Sequence, residues 1–205
     1  MKREYSVIVF DLGNVLIPFD YNRLKNNLNK IEEGLGERFY KKYKENYFVH
    51  RQFETWELSN EQFLKIMLEW CENKINEETF SIYYSDLFTE NKDVSALLPE
   101  LKKHYKLVLL SNTNDIHKKY GWEKYNFLKH FDKLILSHEV GAVKPDEKIY
   151  KSVEEFTGLP SEEHIFIDDI REYGLGAEKL GWDSIHFSGY ENLITEFDER
   201  EIKFR

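Results

Sequence analysis

Five short apolar runs, most of them rich in β-branched residues, recur along the first and last parts of the chain. They are Tyr5–Phe10, Leu107–Leu110, Leu134–Leu136, Ile165–Ile167 and Ser184–Phe187. Runs of this kind are typical of buried strands, and the segments between them have the spacing of helices. Because strands that alternate with helices usually form one parallel sheet covered by helices, the pattern predicts an α/β fold.

Between Pro18 and about residue 91 the β-branched runs disappear and helical periodicity replaces them. Ser59 and Gln62 have the spacing of a capping box, and apolar residues follow at i, i+3, i+4 and i+7. A second aromatic stripe begins at Phe80, after a predicted cap at Asn76. Such stripes can line a ligand pocket, but packing between amphipathic helices is their commoner role. We predict a helical cap domain over residues 18–91, inserted into a core made of residues 1–17 and 92–205.

The point of insertion is informative because it directly follows the first strand. In an open parallel sheet, ligands bind beyond the carboxyl ends of the strands. Helices that leave the sheet at this end would lie over such a site as a lid.

Composition narrows the classes of partner. The 205 residues are 41% hydrophobic and 16% aromatic, which is ample for a packed core. The formal charge is −9, from 29 basic and 38 acidic residues. Binding to nucleic acid or to an anionic membrane depends on clustered positive charge, so we expect neither as a partner. Composition leaves the oligomeric state open.

Cys71 is the only cysteine, which excludes an internal disulfide and a zinc site built from several cysteines. It follows Trp70 at the end of an apolar stripe, so we expect it to be buried. The charged start Met1–Glu4 precedes an apolar run that is too short for a signal or membrane segment. These features predict a cytoplasmic protein.

Polar residues follow four of the apolar runs. They are Asp11, Ser111 with Asn112, Lys144, and Asp168 with Asp169. Taken singly, most have a simpler interpretation: a serine or aspartate that caps a helix, or a surface lysine before a proline. Asp11 is harder to explain, because an aspartate is costly to bury unless it is paired or bound to a metal. Their shared placement after strands predicts one site at one edge of the sheet.

The residue types suit phosphoryl transfer. A carboxylate such as Asp11 can attack phosphorus and form an aspartyl-phosphate, which divides hydrolysis into two steps. Magnesium prefers hard oxygen ligands, which Asp11, Asp169 and one backbone carbonyl would supply. Ser111 and the backbone of Asn112 can donate to phosphate oxygens, and Lys144 can neutralise their charge.

Four ordered motifs, Asp-Leu-Gly-Asn-Val, Leu-Ser-Asn-Thr-Asn, Gly-Ala-Val-Lys-Pro and Ile-Asp-Asp, resemble those of the haloacid dehalogenase-like hydrolases. The resemblance spans essentially the whole chain and is closest to the subgroup that contains the bacterial α-glucose-1-phosphate phosphatase. It implies a Rossmann-like three-layer core with a parallel sheet and an inserted α-helical cap of the C1 type.

The resemblance also implies roles for the residues of these motifs. Asp11 and Lys144 would be catalytic, with Asp11 as the nucleophile. Phosphate would be held by Ser111, Asn112 and Lys144, and Mg²⁺ by Asp11, the Gly13 carbonyl and Asp169. Supporting roles would fall to Asp168, beside Lys144 or a metal-bound water, and to Asn14.

The chain departs from the family pattern at three positions. Gly13 replaces an aspartate that acts as general acid and base in most of the phosphatases, a role typically worth about 10²–10⁴-fold. The glucose-1-phosphatase subgroup shares this glycine, and an anomeric phosphate has a comparatively good leaving group. Tyr173 stands where relatives carry asparagine or aspartate, and we expect it to weaken the outer metal shell. Trp56 replaces a glycine; a tryptophan there can narrow the pocket or fill the core of the cap, and we expect the packing role.

Three functions remain in competition. The leading hypothesis is a magnesium-dependent phosphatase for a small phosphorylated metabolite, with a sugar phosphate favoured. A metal-independent dehalogenase is the first alternative, but the acid pair Asp168-Asp169 favours phosphate. The second is a weakly active phosphometabolite-binding protein, which Gly13 and Tyr173 make credible.

The sequence does not identify the substrate. Six residues of the cap and its entry loop are candidate contacts: Asp20, Arg23, His50, Arg51, Glu54 and Trp56. For His50 and Arg51, contact with a substrate and exposure to solvent are both compatible with the pattern.

Overall fold

The computed structural model describes residues 3–205, so the first two residues of the charged start lie outside the described part. Its centre is one five-stranded sheet with the strand order β3-β2-β1-β4-β5. All neighbouring strands are parallel. The strands are β1 (Val7–Phe10), β2 (Lys106–Ser111), β3 (Lys133–Leu136), β4 (His164–Asp168) and β5 (Asp183–His186). The predicted α/β fold is confirmed.

The predicted strands agree with the observed ones except near their ends. The first strand begins at Val7 rather than Tyr5, and the Ser6 amide before it donates to the carbonyl of Glu163, the residue before β4. The last strand ends at His186, one residue earlier than predicted.

Helices fill the connections between the strands and follow the last strand. Those between β1 and β2 are α1 (Tyr21–Asn29), α2 (Leu35–Glu45), α3 (Tyr47–Glu54), α4 (Asn60–Trp70), α5 (Glu77–Ser85), α6 (Lys92–Ser95) and α7 (Leu98–Leu101). Those after β2 are α8 (Asp115–His117), α9 (Ser137–Val140), α10 (Glu147–Thr157), α11 (Arg171–Glu178) and α12 (Tyr190–Glu199). A π-helical turn (Lys118–Trp122) extends α8, and 3₁₀ helices span Asn126–His130 and Ser161–Glu163.

The sheet lies between two layers of helices because both of its faces are apolar. Ile8 and Phe10 of β1 belong to a buried cluster that includes residues of α6, α7 and α12. Val7 and Val9 point to the other face, where α10 and α11 complete a second cluster. Side chains alternate along a strand, so one continuous apolar run supplies both faces.

The helical segment α1–α5 has an apolar cluster of its own. Its buried members include Phe39, Phe63, Met67 and Tyr84, and Ile116 of α8 joins them. Phe80 and Tyr84 of the second stripe are fully buried, as expected for packing between helices. This separate cluster supports the predicted cap domain, whose boundaries at residues 18 and 91 stay a prediction.

Local signals for the helices of this segment are confirmed. Ser59 and Gln62 form the capping box of α4, and the Asn76 side chain accepts a hydrogen bond from the Thr79 amide at the start of α5. Cys71 is a free, fully buried thiol. Within residues 3–205, no helix combines the length and the apolar character needed to cross a membrane.

Close packing of α1 against α2 depends on Gly36. A Cβ atom at this position would lie 2.7 Å from the Lys25 Cα atom, a backbone atom that cannot move aside alone. We expect Gly36→Ala to lower the free energy of unfolding by about 1–3 kcal/mol, the usual cost of overpacking. Urea denaturation would measure it. The matched control Lys41→Ala, on an exposed face of α2, should change stability by no more than about 0.5 kcal/mol. Equal stability of Gly36→Ala and wild type would contradict the role given to Gly36.

Candidate active site

The carboxyl ends of the strands bring the predicted residues together. Asp11 directly follows β1, and its amide donates to the Ile167 carbonyl of β4 at 2.9 Å. Ser111 is the last residue of β2 and Asp168 the last of β4. Because all strands are parallel, these residues lie at one edge of the sheet, below the helical segment.

Lys144 is the centre of the site. Its ammonium donates to Asp11 Oδ1 at 2.6 Å, to Asp168 Oδ2 at 2.7 Å and to the Leu110 carbonyl at 3.3 Å. The residue is only 2% exposed. The simpler interpretation of Lys144 as a surface residue is therefore wrong, and its charge is matched by two buried carboxylates.

Asn112 and Ser111 differ in how they are held. The Asn112 side chain accepts from the Lys144 amide at 2.8 Å and donates to the Lys144 carbonyl at 3.3 Å. It thereby orients the loop that carries the lysine. Among residues 3–205, the buried Ser111 hydroxyl makes only a long contact of 3.5 Å with the Asn112 carbonyl. Ser111 thus has a hydroxyl with little internal engagement at the pocket wall.

Three carboxylates converge beside the lysine. Oxygen atoms of Asp11, Asp168 and Asp169 all lie within 4.8 Å of one another. Burial raises the pKa of Asp11 to about 7 despite the lowering effect of Lys144, and Asp168 and Asp169 add to the rise. Burial also raises the pKa of Asp168. One ammonium cannot offset three carboxylates, so a further cation would stabilise this group of acids.

The donor set fits Mg²⁺, which prefers carboxylate and carbonyl oxygens. Both oxygens of Asp168 are engaged, one by Lys144 and the other by the Ile170 amide at 2.7 Å. The Oδ2 atom of Asp11 accepts no hydrogen bond from residues 3–205, and Asp169 Oδ2 accepts only from Asn14 Nδ2, at 2.9 Å. Asp11 and Asp169 are therefore the acids best able to bind a metal.

The loop after Asp11 has a specific backbone shape. The Gly13 carbonyl accepts from the Val15 amide at 2.7 Å and keeps a second lone pair. Asn14 has a φ of 53°, in the left-handed region that asparagine tolerates well. A Cβ at Gly13 would lie 3.3 Å from Phe19 Cε1. A Cβ atom on residue 13 would therefore be in tight contact with the Phe19 ring.

An open cavity lies between the strand ends and the helical segment. Its floor includes Asp11, Ser111, Lys144 and Asp169. The helical segment and its entry loop supply the roof, with Phe19, Tyr21, Tyr47, His50, Arg51, Glu54 and Leu87.

A chain of polar contacts crosses this roof. His50 Nδ1 lies 2.8 Å from the hydroxyls of Tyr43 and Tyr84. His50 Nε2 lies 3.1 Å from Glu54 Oε1, and Glu54 Oε2 lies 2.7 Å from Arg51 Nη1. Burial would raise the pKa of Glu54, but His50 and Arg51 outweigh it and lower the pKa to about 2. Glu54 is thus an ionised carboxylate inside the roof.

The roof is joined to the floor through Tyr173. Arg51 Nη2 donates to the Tyr173 hydroxyl at 3.1 Å, and the Lys144 ammonium lies 5.1 Å from the centre of the Tyr173 ring. No hydrogen bond links Tyr173 to Asp169 among the described residues. The predicted effect of Tyr173 on the metal shell stays a prediction, whereas its contact with Arg51 had no signal in the sequence.

The candidate substrate contacts divide into two groups. The first group lines the cavity and consists of His50, Arg51 and Glu54. His50 is only 4% exposed, so the alternative in which it faces solvent is wrong. Asp20 instead caps α1, and Arg23 pairs with Asp86 at 2.5 Å; neither lines the cavity.

Trp56 is outside the cavity as well, and its expected packing inside the cap is wrong. It is 50% exposed, and its ring centre lies 6.4 Å from that of His138. Its φ of 62° lies in the left-handed region, which favours glycine.

The sequence signal for the roof was the helical spacing of its residues. His50 and Glu54 are separated by four positions and Arg51 and Glu54 by three, both of which bring side chains together on one face of a helix. Nothing in the sequence indicated that Asn112 orients Lys144 or that Phe19 covers Gly13.

Comparison with known proteins places this site in a family. A family model described as haloacid dehalogenase-like hydrolase matches residues 8–187. A D-ribitol-5-phosphate phosphatase of Bacteroides thetaiotaomicron is 26% identical over 170 residues, which cover 79% of this chain and 82% of that protein.

Two solved structures illustrate the range of similarity. A HAD family enzyme of Bacteroides thetaiotaomicron, in complex with magnesium and inorganic phosphate, superposes with a TM-score of 0.75 at 27% identity, covering 88% of this chain and 93% of that one. The L-2-haloacid dehalogenase of Xanthobacter autotrophicus has a TM-score of 0.63 at 18% identity, covering 98% and 89% of the two chains. The second similarity shows a shared fold alone.

The ion pairs of Glu54 predict a pH-dependent stability. The pKa of Glu54 is lowered from 4.5 to about 2. The stabilising effect of this carboxylate is therefore complete above pH 4.5 and is lost as the pH falls towards 2. We expect Glu54→Gln to cost about 3 kcal/mol of unfolding free energy at pH 7, with a difference from wild type that shrinks below pH 4.5. Urea denaturation at several pH values would measure this difference. A difference that stayed constant down to the lowest pH at which both proteins fold would contradict it.

Proposed function

The chain belongs to the haloacid dehalogenase-like hydrolases, and from its site we propose that it is a magnesium-dependent phosphatase of a small phosphorylated metabolite, with a sugar or polyol phosphate as substrate. One observation carries the proposal. Asp11 is held by a buried ammonium while further carboxylates lie within 4.8 Å of it. This arrangement combines a nucleophile, a phosphate-binding cation and a donor set for a divalent metal.

Each residue has a role in the proposed reaction. Lys144 fixes Asp11 Oδ1, so the carboxylate points in one direction before the substrate binds. An Asp11 oxygen attacks phosphorus, and the bond to the leaving oxygen breaks with its electron pair on that oxygen. Water then attacks the aspartyl-phosphate at phosphorus, which releases phosphate and restores the carboxylate.

The surrounding groups bind and neutralise the phosphoryl oxygens. Ser111 and the backbone of Asn112 would donate to these oxygens, and Lys144 would neutralise the charge that develops on them. Asp11, the Gly13 carbonyl and Asp169 would hold Mg²⁺, with Asp168 and Asn14 in support. When bound, the metal supplies positive charge between the carboxylates and the phosphate.

Two of the similar proteins support this reaction class. One is named a phosphatase of D-ribitol 5-phosphate, and the other holds magnesium with inorganic phosphate. The assignment to the α-glucose-1-phosphate phosphatase subgroup stays a prediction. The helical segment would act as the cap that covers the site.

The alternatives rest on weaker observations. A dehalogenase needs no metal, whereas Asp11 and Asp169 supply carboxylate oxygens that suit one. A binding protein with little turnover is favoured by two departures from the family pattern, the absence of an acid at position 13 and the presence of Tyr173 in the cavity wall.

Metal dependence is the first test. We expect hydrolysis of 4-nitrophenyl phosphate to require Mg²⁺, to stop in EDTA and to return when Mg²⁺ is added back, because the acids bind it. Asp169→Asn should raise the Mg²⁺ concentration for half-maximal activity by about 10-fold or more. A rate that EDTA does not change would refute the magnesium site, and absence of turnover in Mg²⁺ would favour the binding protein.

Removal of the nucleophile is the second test. Asp11→Asn should lower kcat on the order of 10³-fold or more, with the circular dichroism spectrum unchanged, because an amide cannot attack phosphorus. The matched control Asp198→Asn alters a surface acid that pairs with Arg205, and it should retain activity. The proposed mechanism is wrong if Asp11→Asn turns over at the wild-type rate.

A further inference from the structure

The roof of the cavity contains an ion pair that the hydrolysis itself does not use. Glu54 is 4% exposed, yet its two oxygens contact His50 Nε2 at 3.1 Å and Arg51 Nη1 at 2.7 Å. Burial of charged groups rarely adds stability compared with apolar packing. An apolar roof would have been simpler, so the retained pair points to recognition of a ligand.

Both terminal nitrogens of the Arg51 guanidinium contact other residues. Nη1 contacts Glu54, Nη2 donates to the Tyr173 hydroxyl at 3.1 Å, and the side chain remains 37% exposed. A guanidinium carries more N–H donors than these two contacts use. Because Arg51 lines the cavity, these donors are available to a ligand.

The charges of the pair indicate which ligand groups it recognises. Arg51 and Glu54 carry opposite charges 2.7 Å apart, so together they present little net charge. A second anionic group on the ligand would gain little from such a pair. A hydroxyl group, which both donates and accepts hydrogen bonds, can use the arginine donor and the carboxylate acceptor together.

Aromatic rings extend the same surface. Phe19 and Tyr47 line the cavity and are 39% and 40% exposed. Such rings offer flat apolar faces beside the polar pair. A carbon chain with hydroxyl groups along it presents both kinds of surface to its surroundings.

We propose that Arg51 and Glu54 form a specificity site for hydroxyl groups on the organic part of the substrate, with Tyr173 and His50 as positioning residues. The proposal rests on the proposed function and goes further by assigning recognition of the leaving group to this pair. The substrates it selects are monophosphates of polyols or sugars, and it discriminates against esters that lack hydroxyl groups or carry a second anion.

The test compares kcat/KM in Mg²⁺ for three probes: ribitol 5-phosphate, phenyl phosphate and phosphoglycolate. We expect Arg51→Gln to lower kcat/KM about 10- to 100-fold for ribitol 5-phosphate, the loss typical of a charged hydrogen bond, and less than about 3-fold for the other two. Tyr173→Phe should raise KM for ribitol 5-phosphate with little change in kcat. The substitution removes the hydroxyl that orients the Arg51 guanidinium but leaves the guanidinium itself in place.

Arg38→Gln is the matched control. Arg38 pairs with Glu72 at the same 2.7 Å in the helical segment but does not line the cavity, so its loss should change none of the three rates. Equal losses by Arg51→Gln on all three probes would overturn the proposal and show that Arg51 only holds the roof to the floor. A loss confined to phosphoglycolate would assign Arg51 to a second anion, and no loss at all would also overturn the proposal.

A protein that is not a phosphatase would give a result that differs from all of these. If wild type hydrolyses none of the probes, the phosphatase assignment is wrong, and calorimetric titration of ribitol 5-phosphate in Mg²⁺ decides recognition alone. Weaker binding to Arg51→Gln than to wild type and Arg38→Gln would then support the site. Equal binding, or none to wild type, would overturn it.

Discussion

A buried ammonium group between two buried carboxylates organises this molecule. Lys144 contacts Asp11 at 2.6 Å and Asp168 at 2.7 Å, and these acids follow different strands of the sheet. Inside a protein such contacts are strong, but a missing partner would leave a buried charge unpaired. Every element that delivers one of these groups is therefore constrained: the strand ends that carry the acids and the loop that Asn112 orients around the lysine.

The floor and the roof of the cavity differ in charge and composition. The floor is charged and geometrically fixed, which suits chemistry on a phosphoryl group that differs little between substrates. The roof combines aromatic rings with one compensated ion pair, which suits the variable organic part. Tyr173 links the two, because its hydroxyl meets Arg51 while its ring faces Lys144. With the roles proposed for the roof and the floor, a substitution in the roof changes specificity while the chemistry below is retained.

Residues that depart from the family pattern gain a physical meaning from their surroundings. Position 13 carries no carboxylate, and a Cβ atom there would lie 3.3 Å from Cε1 of the Phe19 ring. Trp56 adopts a φ of 62°, at a position where a glycine would be unstrained. Sequence comparison marks such positions as differences, but only the neighbouring atoms show whether a space is filled, strained or open.

The sequence by itself determined the fold class, all five strands, the capped helices of the inserted segment and the four polar motifs at the strand ends. These features follow from local rules, since periodicity, caps and strand ends depend on residues close together in the chain. Only the tertiary structure decided that Lys144 is buried between two acids, that His50 is enclosed and that Arg51 reaches Tyr173. Those contacts join positions up to 133 residues apart, and their distances depend on how the helices pack over the sheet.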